Sequence, residues 1–221
     1  MSVRVLVLGP VSDDVRAALA ALPGGAEIVA TPDAHAALAV LAAAPPDLLV
    51  EGEHALGAAL SASAFKGALA IEFARAMRYR HPLSLLVVGI DRETGIVSSH
   101  GEGSVHRLRE SLSAMLRRSL RQIDLLAPLG SAELAVLLPE TAASGARSVA
   151  ERIRALAARV IVKSAPGGGR PSLPVKASVT VGVCDAPRDG VTTPEAFLET
   201  ARAARRLGED AGGDRTEVVT G

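Results

Sequence analysis

Leu120-Arg121-Gln122-Ile123-Asp124-Leu125-Leu126-Ala127-Pro128-Leu129-Gly130-Ser131-Ala132-Glu133-Leu134-Ala135-Val136-Leu137-Leu138-Pro139 is the stretch that decides how this chain is read. Two short apolar runs flank Leu129-Gly130-Ser131, which predicts a β-hairpin ending at Leu138-Pro139. Ahead of it, from about Val105 to Gln122, runs a basic helix with five arginines and one Glu. Such a face suits either solvent or a nucleic acid. Further upstream, Leu83 to Asp91 reads as a buried strand, preceded by the His81-Pro82 break and by an Ala-rich helix from about Leu56 to Tyr79. Leu60, Phe65, Leu69 and Phe73 share one stripe of that helix. The polar stretch between Asp91 and Val105 reads as loop, Ser98-Ser99-His100-Gly101 included.

Downstream, a helix is predicted from about Ala142 to Val160, a strand from Val175 to Cys184, and a helix from Pro194 to Gly208 capped by Thr193. Ser164 to Pro171, with Gly167-Gly168-Gly169, reads as a flexible loop, and the last dozen residues as polar tail. Residues 1 to 52 alternate strand, helix, strand, helix, strand: Val3 to Leu8, Glu27 to Ala30 and Asp47 to Val50 are the strands. That alternation implies a parallel sheet.

The 221 residues allow one or two domains, and 48% hydrophobic content suffices for a core. No run is long enough to span a membrane, and the N-terminus lacks a cleavable signal, so a cytoplasmic location and no membrane partner are expected. One cysteine excludes a disulfide framework or multi-cysteine zinc site. The five histidines show no metal-ligand spacing, so neither metal nor cofactor is expected. Basic and acidic residues balance at 24 each, and three Phe with one Tyr leave little stacking surface, which argues against a nucleic-acid partner. The balance is a cancellation: residues 1–60 hold seven acids and two bases, and the rest holds five more bases than acids.

From about Ala64 to Arg215 the chain resembles a GGDEF domain, the catalytic domain of diguanylate cyclases. The resemblance rests on Phe73-Ala74-Arg75-Ala76-Met77-Arg78-Tyr79-Arg80-His81-Pro82-Leu83-Ser84-Leu85-Leu86, Leu120 to Ala127, Leu134 to Pro139 and Val149-Ala150-Glu151-Arg152-Ile153-Arg154, gap-free from Asp91 to Leu138. Separately, residues 1–55, with Pro45-Pro46-Asp47-Leu48-Leu49-Val50 where a phosphoacceptor strand would sit, resemble a truncated receiver-like βαβαβ module. Together the two resemblances imply an α/β architecture: that module, a connecting helix at 56–80, a degenerate GGDEF (nucleotidyl-cyclase-like α+β) domain with a central mixed sheet at 81–215, and a tail at 216–221. In the first module Gly9-Pro10 stands where a receiver has its acidic pair, and Glu51 or Gly52 where its phosphoacceptor Asp would be.

Diguanylate cyclases use carboxylates to hold Mg²⁺ against GTP. Here the signature is Gly130-Ser131-Ala132-Glu133-Leu134, with the second glycine replaced by Ser131 and the next acid by Ala132. The metal-holding Asp of the preceding strand maps to Gly89, while Asp91 matches a second, usually structural, acid. Glu93-Thr94 replaces a Phe-Lys pair, Val97 the guanine-recognising Asn, His106 a guanine-binding Asp, and Glu209 a phosphate-binding Lys. The resemblance therefore implies no catalytic residues and no diguanylate cyclase activity; an enzyme of altered substrate would have only Glu133.

Arg121-Gln122-Ile123-Asp124, five residues before Gly130, matches the Arg-x-x-Asp inhibitory site for cyclic di-GMP, with Arg152 as its secondary arginine and Arg117 and Arg118 adding positive potential. An arginine fork suits phosphate or guanine O6 and N7, and an Asp accepts from guanine N1 and N2. The plainer alternative is an i, i+3 pair closing a surface helix. Two functions follow: a catalytically inactive bacterial receptor that binds cyclic di-GMP and signals to a protein partner, or a nucleotide-independent scaffold or homodimerisation module.

Overall fold

The computed structural model describes residues 3–8, 26–31, 48–51, 60–164 and 173–219. The chain divides into two compact units, Met1–Ala58 and Ala59–Gly221. In the first, β1 (Val3–Leu8), β2 (Ala26–Thr31) and β3 (Leu48–Glu51) form a parallel sheet in the order β2-β1-β3. The two helices expected between these strands, and the acidic-pair and Gly52 positions, lie outside the described residues.

The second unit is built on a five-stranded sheet in the order β10-β9-β4-β6-β5: β4 (Leu83–Ile90), β5 (Leu125–Pro128), β6 (Glu133–Pro139), β9 (Val179–Ala186) and β10 (Thr216–Val218). Strand β10 runs parallel to β9 and the remaining neighbours pair antiparallel, so the sheet is mixed. Every residue of β4 is buried, because helices cover both faces and alternate side chains feed two cores. Leu86, Val88 and Ile90 join Leu134, Val136 and Val181 under α2 (Glu93–His100), α3 (Glu102–Ser119) and α4 (Ala143–Ala157). Leu83, Leu85 and Val87 join Ala135, Leu137 and Cys184 under α1 (Ala62–Tyr79) and α5 (Pro194–Asp210), where Phe73 and Phe197 meet with ring centroids 5.5 Å apart. The Thr193 hydroxyl caps α5 as its sequence predicts, accepting from the Ala196 N–H at 3.1 Å. Cys184 is fully buried, and burial pushes its thiol up to about 11.

Four sequence readings need correction. The stretch after Asp91 is helix α2, and Ser98–His100 belong to it; Gly95 and two serines hide a helix that buries only Ile96 among its eight residues. Helix α3 stops at Ser119, before Gln122, because Leu120 turns to extended backbone at φ −82° and ψ 157°. The strand read as Val175–Cys184 is two pieces, with Pro174–Val175 (β8) pairing instead with Val162–Lys163 (β7) around the glycine-rich loop. Most of that loop lies outside the described residues. Thr216–Val218, within the stretch set aside as a tail, is the edge strand of the sheet.

Helix α5 reaches β9 through Gly182, whose Cβ would press on the Ala201 carbonyl and Arg205 N–H and lie 2.9 Å from Arg205 Cα. Because those are backbone atoms, Gly182→Ala forces helix and sheet apart. It is expected to lower the unfolding free energy by about 3 kcal/mol in urea titration. Gly67→Ala, on an exposed position of α1 with open space around it, is expected to raise it by roughly 0.5–1 kcal/mol.

Candidate functional site

The Gly130–Glu133 turn joins β5 to β6 and brings Glu133 into register opposite Gly89 at the end of β4. Gly89 has no side chain, and Arg205 of α5 fills the space above it, with Cδ 2.7 Å and Cζ 3.0 Å from where a Cβ would stand. Both oxygens of Glu133 face arginines: Oε1 lies 3.1 Å from Arg205 Nε and Oε2 lies 3.3 Å from Arg202 Nε. Arg205 Nη1 also donates to Glu209 at 2.7 Å. The turn is tied on its other side, where Arg109 Nη1 donates to the Gly130 carbonyl at 2.6 Å and Ser131 Oγ donates to Glu93 at 2.6 Å. Ala132 and Leu134 are buried in the core. These residues do not fit a divalent cation. The strand carboxylate is missing, the turn's acid is committed to two guanidinium groups, and among the described residues no cluster of three or more His, Cys, Asp or Glu is placed to hold a metal.

Asp91 does a different job. Its buried carboxylate accepts from Ser178 Oγ and Thr180 Oγ1, both at 2.6 Å, and from the Asp214 N–H at 2.9 Å. Gly213, at φ 77°, makes room for it: an added Cβ would lie 2.9 Å from the Asp91 carboxyl carbon. This clasp joins β4, β9 and the α5–β10 loop. Asp91→Ala is expected to cost roughly 3 kcal/mol or more in urea unfolding, since each charge-assisted bond contributes about 1.5–3 kcal/mol and three donors lose their partner.

The Arg121–Asp124 segment follows α3 as a tight turn. Asp124 Oδ2 accepts the Arg121 N–H at 2.8 Å, and the Asp124 N–H donates to the Arg121 carbonyl at 3.1 Å. The carboxylate therefore caps backbone rather than pairing with the arginine's side chain, and the reading of an ion pair closing a helix is not what the geometry shows. Asp124 Oδ1 is buried with no partner among the described residues, while the Arg121 guanidinium is exposed and makes no hydrogen bond or ion pair among them. Arg152 comes alongside by donating Nη2 to the Ser119 carbonyl at 3.2 Å. Arg117 turns back on its own helix to Ser113 at 3.1 Å, and Arg118 is exposed on the last turn of α3.

Burial raises the Asp124 carboxyl above the usual Asp range; the Arg121 N–H bond and the charges of Arg121 and Arg152 pull it part of the way back. The folded protein thus holds this proton more tightly than the unfolded chain. Stability from this group is present below the ordinary Asp pKa of about 3.9 and declines as pH rises through the raised folded value. Carbon-detected NMR titration is expected to place the Asp124 midpoint above the ordinary value and to move it higher still in Arg152→Ala; a midpoint unmoved by that substitution would contradict the geometry.

Residues 60–215 match the family described as "Diguanylate cyclase, GGDEF domain". The chain belongs to this family. Diguanylate cyclase DgcP of Pseudomonas aeruginosa is 32% identical over 149 residues, which cover 67% of this chain and 21% of DgcP. The chain thus spans about a fifth of that relative's length. Among solved structures, the GGDEF domain of YfiN from Pseudomonas aeruginosa superposes with a TM-score of 0.64 at 25% identity, covering 75% of this chain and 99% of that one. The GGDEF domain of DgcB from Caulobacter crescentus, solved in complex with c-di-GMP, shares the fold at TM-score 0.62 and 22% identity, over 74% of this chain and 90% of its own.

Within this GGDEF domain the sequence-derived positions fall into two groups. Gly89, Gly130, Ser131, Glu133, Glu93 and Glu209 gather around the turn. Arg121, Asp124 and Arg152 gather at the end of α3, without the side chain of Arg117. Val97 packs against the core, Thr94 is exposed, and His106 Nδ1 sits 3.0 Å from Arg109 Nη2. Sequence reasoning missed Arg109, Arg202 and Arg205. Arg202 and Arg205 look like the solvated face of a charged helix, and only their place beside the buried Ala201 and Ala204 stripe hints that they reach the sheet.

Proposed function

We propose that this GGDEF domain is a catalytically inactive signalling module that binds cyclic di-GMP at Arg121 and Asp124, assisted by Arg152, and passes the bound state to a protein partner. The observation that carries the reading is the unfinished chemistry of the Arg121–Asp124 turn. It holds a buried acceptor oxygen without a donor and, beside it, a guanidinium without an acceptor. An unpaired buried acceptor is costly. A guanine presents two N–H donors to a carboxylate, and its O6 and N7 edge or a phosphate oxygen suits the arginine. Ile123, 54% exposed in the same turn, offers apolar surface to a purine face. The DgcB GGDEF domain is described in complex with the same dinucleotide.

Loss of cyclase activity is supported by the Gly130–Glu133 turn, where Glu133 already faces Arg202 and Arg205 at ion-pair distance. The N-terminal strand order β2-β1-β3 is that of the flavodoxin-like folds to which receivers belong, and it supports a truncated receiver-like module there.

Isothermal titration with cyclic di-GMP is expected to give a Kd near or below about 10 µM, and Arg121→Ala to weaken it at least about tenfold. Absence of heat, or equal binding by the variant, leaves the nucleotide-independent scaffold as the better account. No conversion of GTP is expected with either Mg²⁺ or Mn²⁺.

A further inference from the structure

We propose that this domain carries its cation within its own chain: the Arg205 guanidinium stands in place of a divalent metal at the end of β4, and it anchors the Gly130–Glu133 turn. The proposal deepens the reading of that turn as inactive and makes no use of the Arg121 site. Several independent features converge on Arg205. Gly182 lets the α5 backbone settle onto β9 at the level of Arg205, and Gly89 leaves the space its side chain enters. The guanidinium then meets Glu133 at 3.1 Å and Glu209 at 2.7 Å, and its side chain is only 13% exposed. Arg202 takes the second Glu133 oxygen at 3.3 Å. The Glu133 carboxylate therefore meets positive charge at both oxygens, without any ion from solution.

An arginine differs from a bound metal in ways that matter here. It keeps its charge across the accessible pH range and its planar fork has fixed donor directions. It is not removed by chelators, so the order of the turn is independent of divalent ions. It also defends the position: a carboxylate introduced at residue 89 would emerge directly beneath Arg205 and pair with it before any ion from solution. Restoring the missing acid alone does not recreate a metal site.

The test compares Mn²⁺ binding, read by the paramagnetic resonance of free Mn²⁺, in the full chain, in Gly89→Asp and in Gly89→Asp/Arg205→Ala, each checked for native circular dichroism. Binding is expected only in the last, at least about tenfold tighter than in Gly89→Asp. Equal binding by the two variants, or none by the folded double variant, overturns the proposal. Should either variant fail to fold, a double-mutant cycle of Arg205→Ala and Glu133→Gln in urea serves instead. The two effects are expected to be strongly non-additive, and the midpoint of the unaltered chain to be the same in millimolar Mg²⁺ as in EDTA; additive effects or a Mg²⁺-dependent midpoint overturn it. GTP turnover by the unaltered chain would end the inactive reading, whereas Mn²⁺ bound by Gly89→Asp as tightly as by the double variant ends this proposal alone.

Discussion

At Gly182, helix α5 lies on strand β9 with no side chain between them. That approach at Gly182 sets the depth of the helix, and the depth decides where Arg202 and Arg205 can reach. A methyl group there would lift the helix and withdraw both guanidinium groups from Glu133. The same helix supplies Phe197, Leu198 and Ala201 to the core beneath it, so sheet packing and the charge arrangement at the strand ends are one construction.

Two polar clusters in one domain differ in what faces their carboxylates. At the Gly130–Glu133 turn Glu133 and Glu209 both face arginines of α5 at ion-pair distance. At the Arg121–Asp124 turn the backbone is satisfied but one carboxylate oxygen and one guanidinium are not. Asp91, placed between these extremes, is wholly structural: three donors hold its carboxylate, and it takes no part in either cluster.

Much of the fold was readable in the residues. The apolar run from Leu83, the hairpin across Gly130 and the Thr193 cap each carry a local signal strong enough to place an element. Helix α2 and strand β10 were not readable, for a shared reason. Each is short and gains its stability from a neighbour, α2 through Ile96 in the core and β10 through parallel pairing to β9, so neither shows a periodicity of its own. Gly89, Ser131 and Ala132 were legible as departures from the pattern that the family resemblance implies. What filled the space was not, because an arginine on a charged helix face looks the same whether it points at water or at a carboxylate on another element. The Arg121–Asp124 spacing was visible too, but only coordinates reveal that the two side chains do not pair.

Cys184 sits on strand β9, between β10 and β4, fully buried, its thiol pushed up to about 11. A thiol in that state is inert to alkylating reagents until the strand separates from its neighbours, since only the thiolate reacts and only when exposed. The chain carries no second cysteine to blur the signal. Its labelling rate thus becomes a clock for opening of the sheet, with the domain's own chemistry serving as a built-in gauge of conformational breathing.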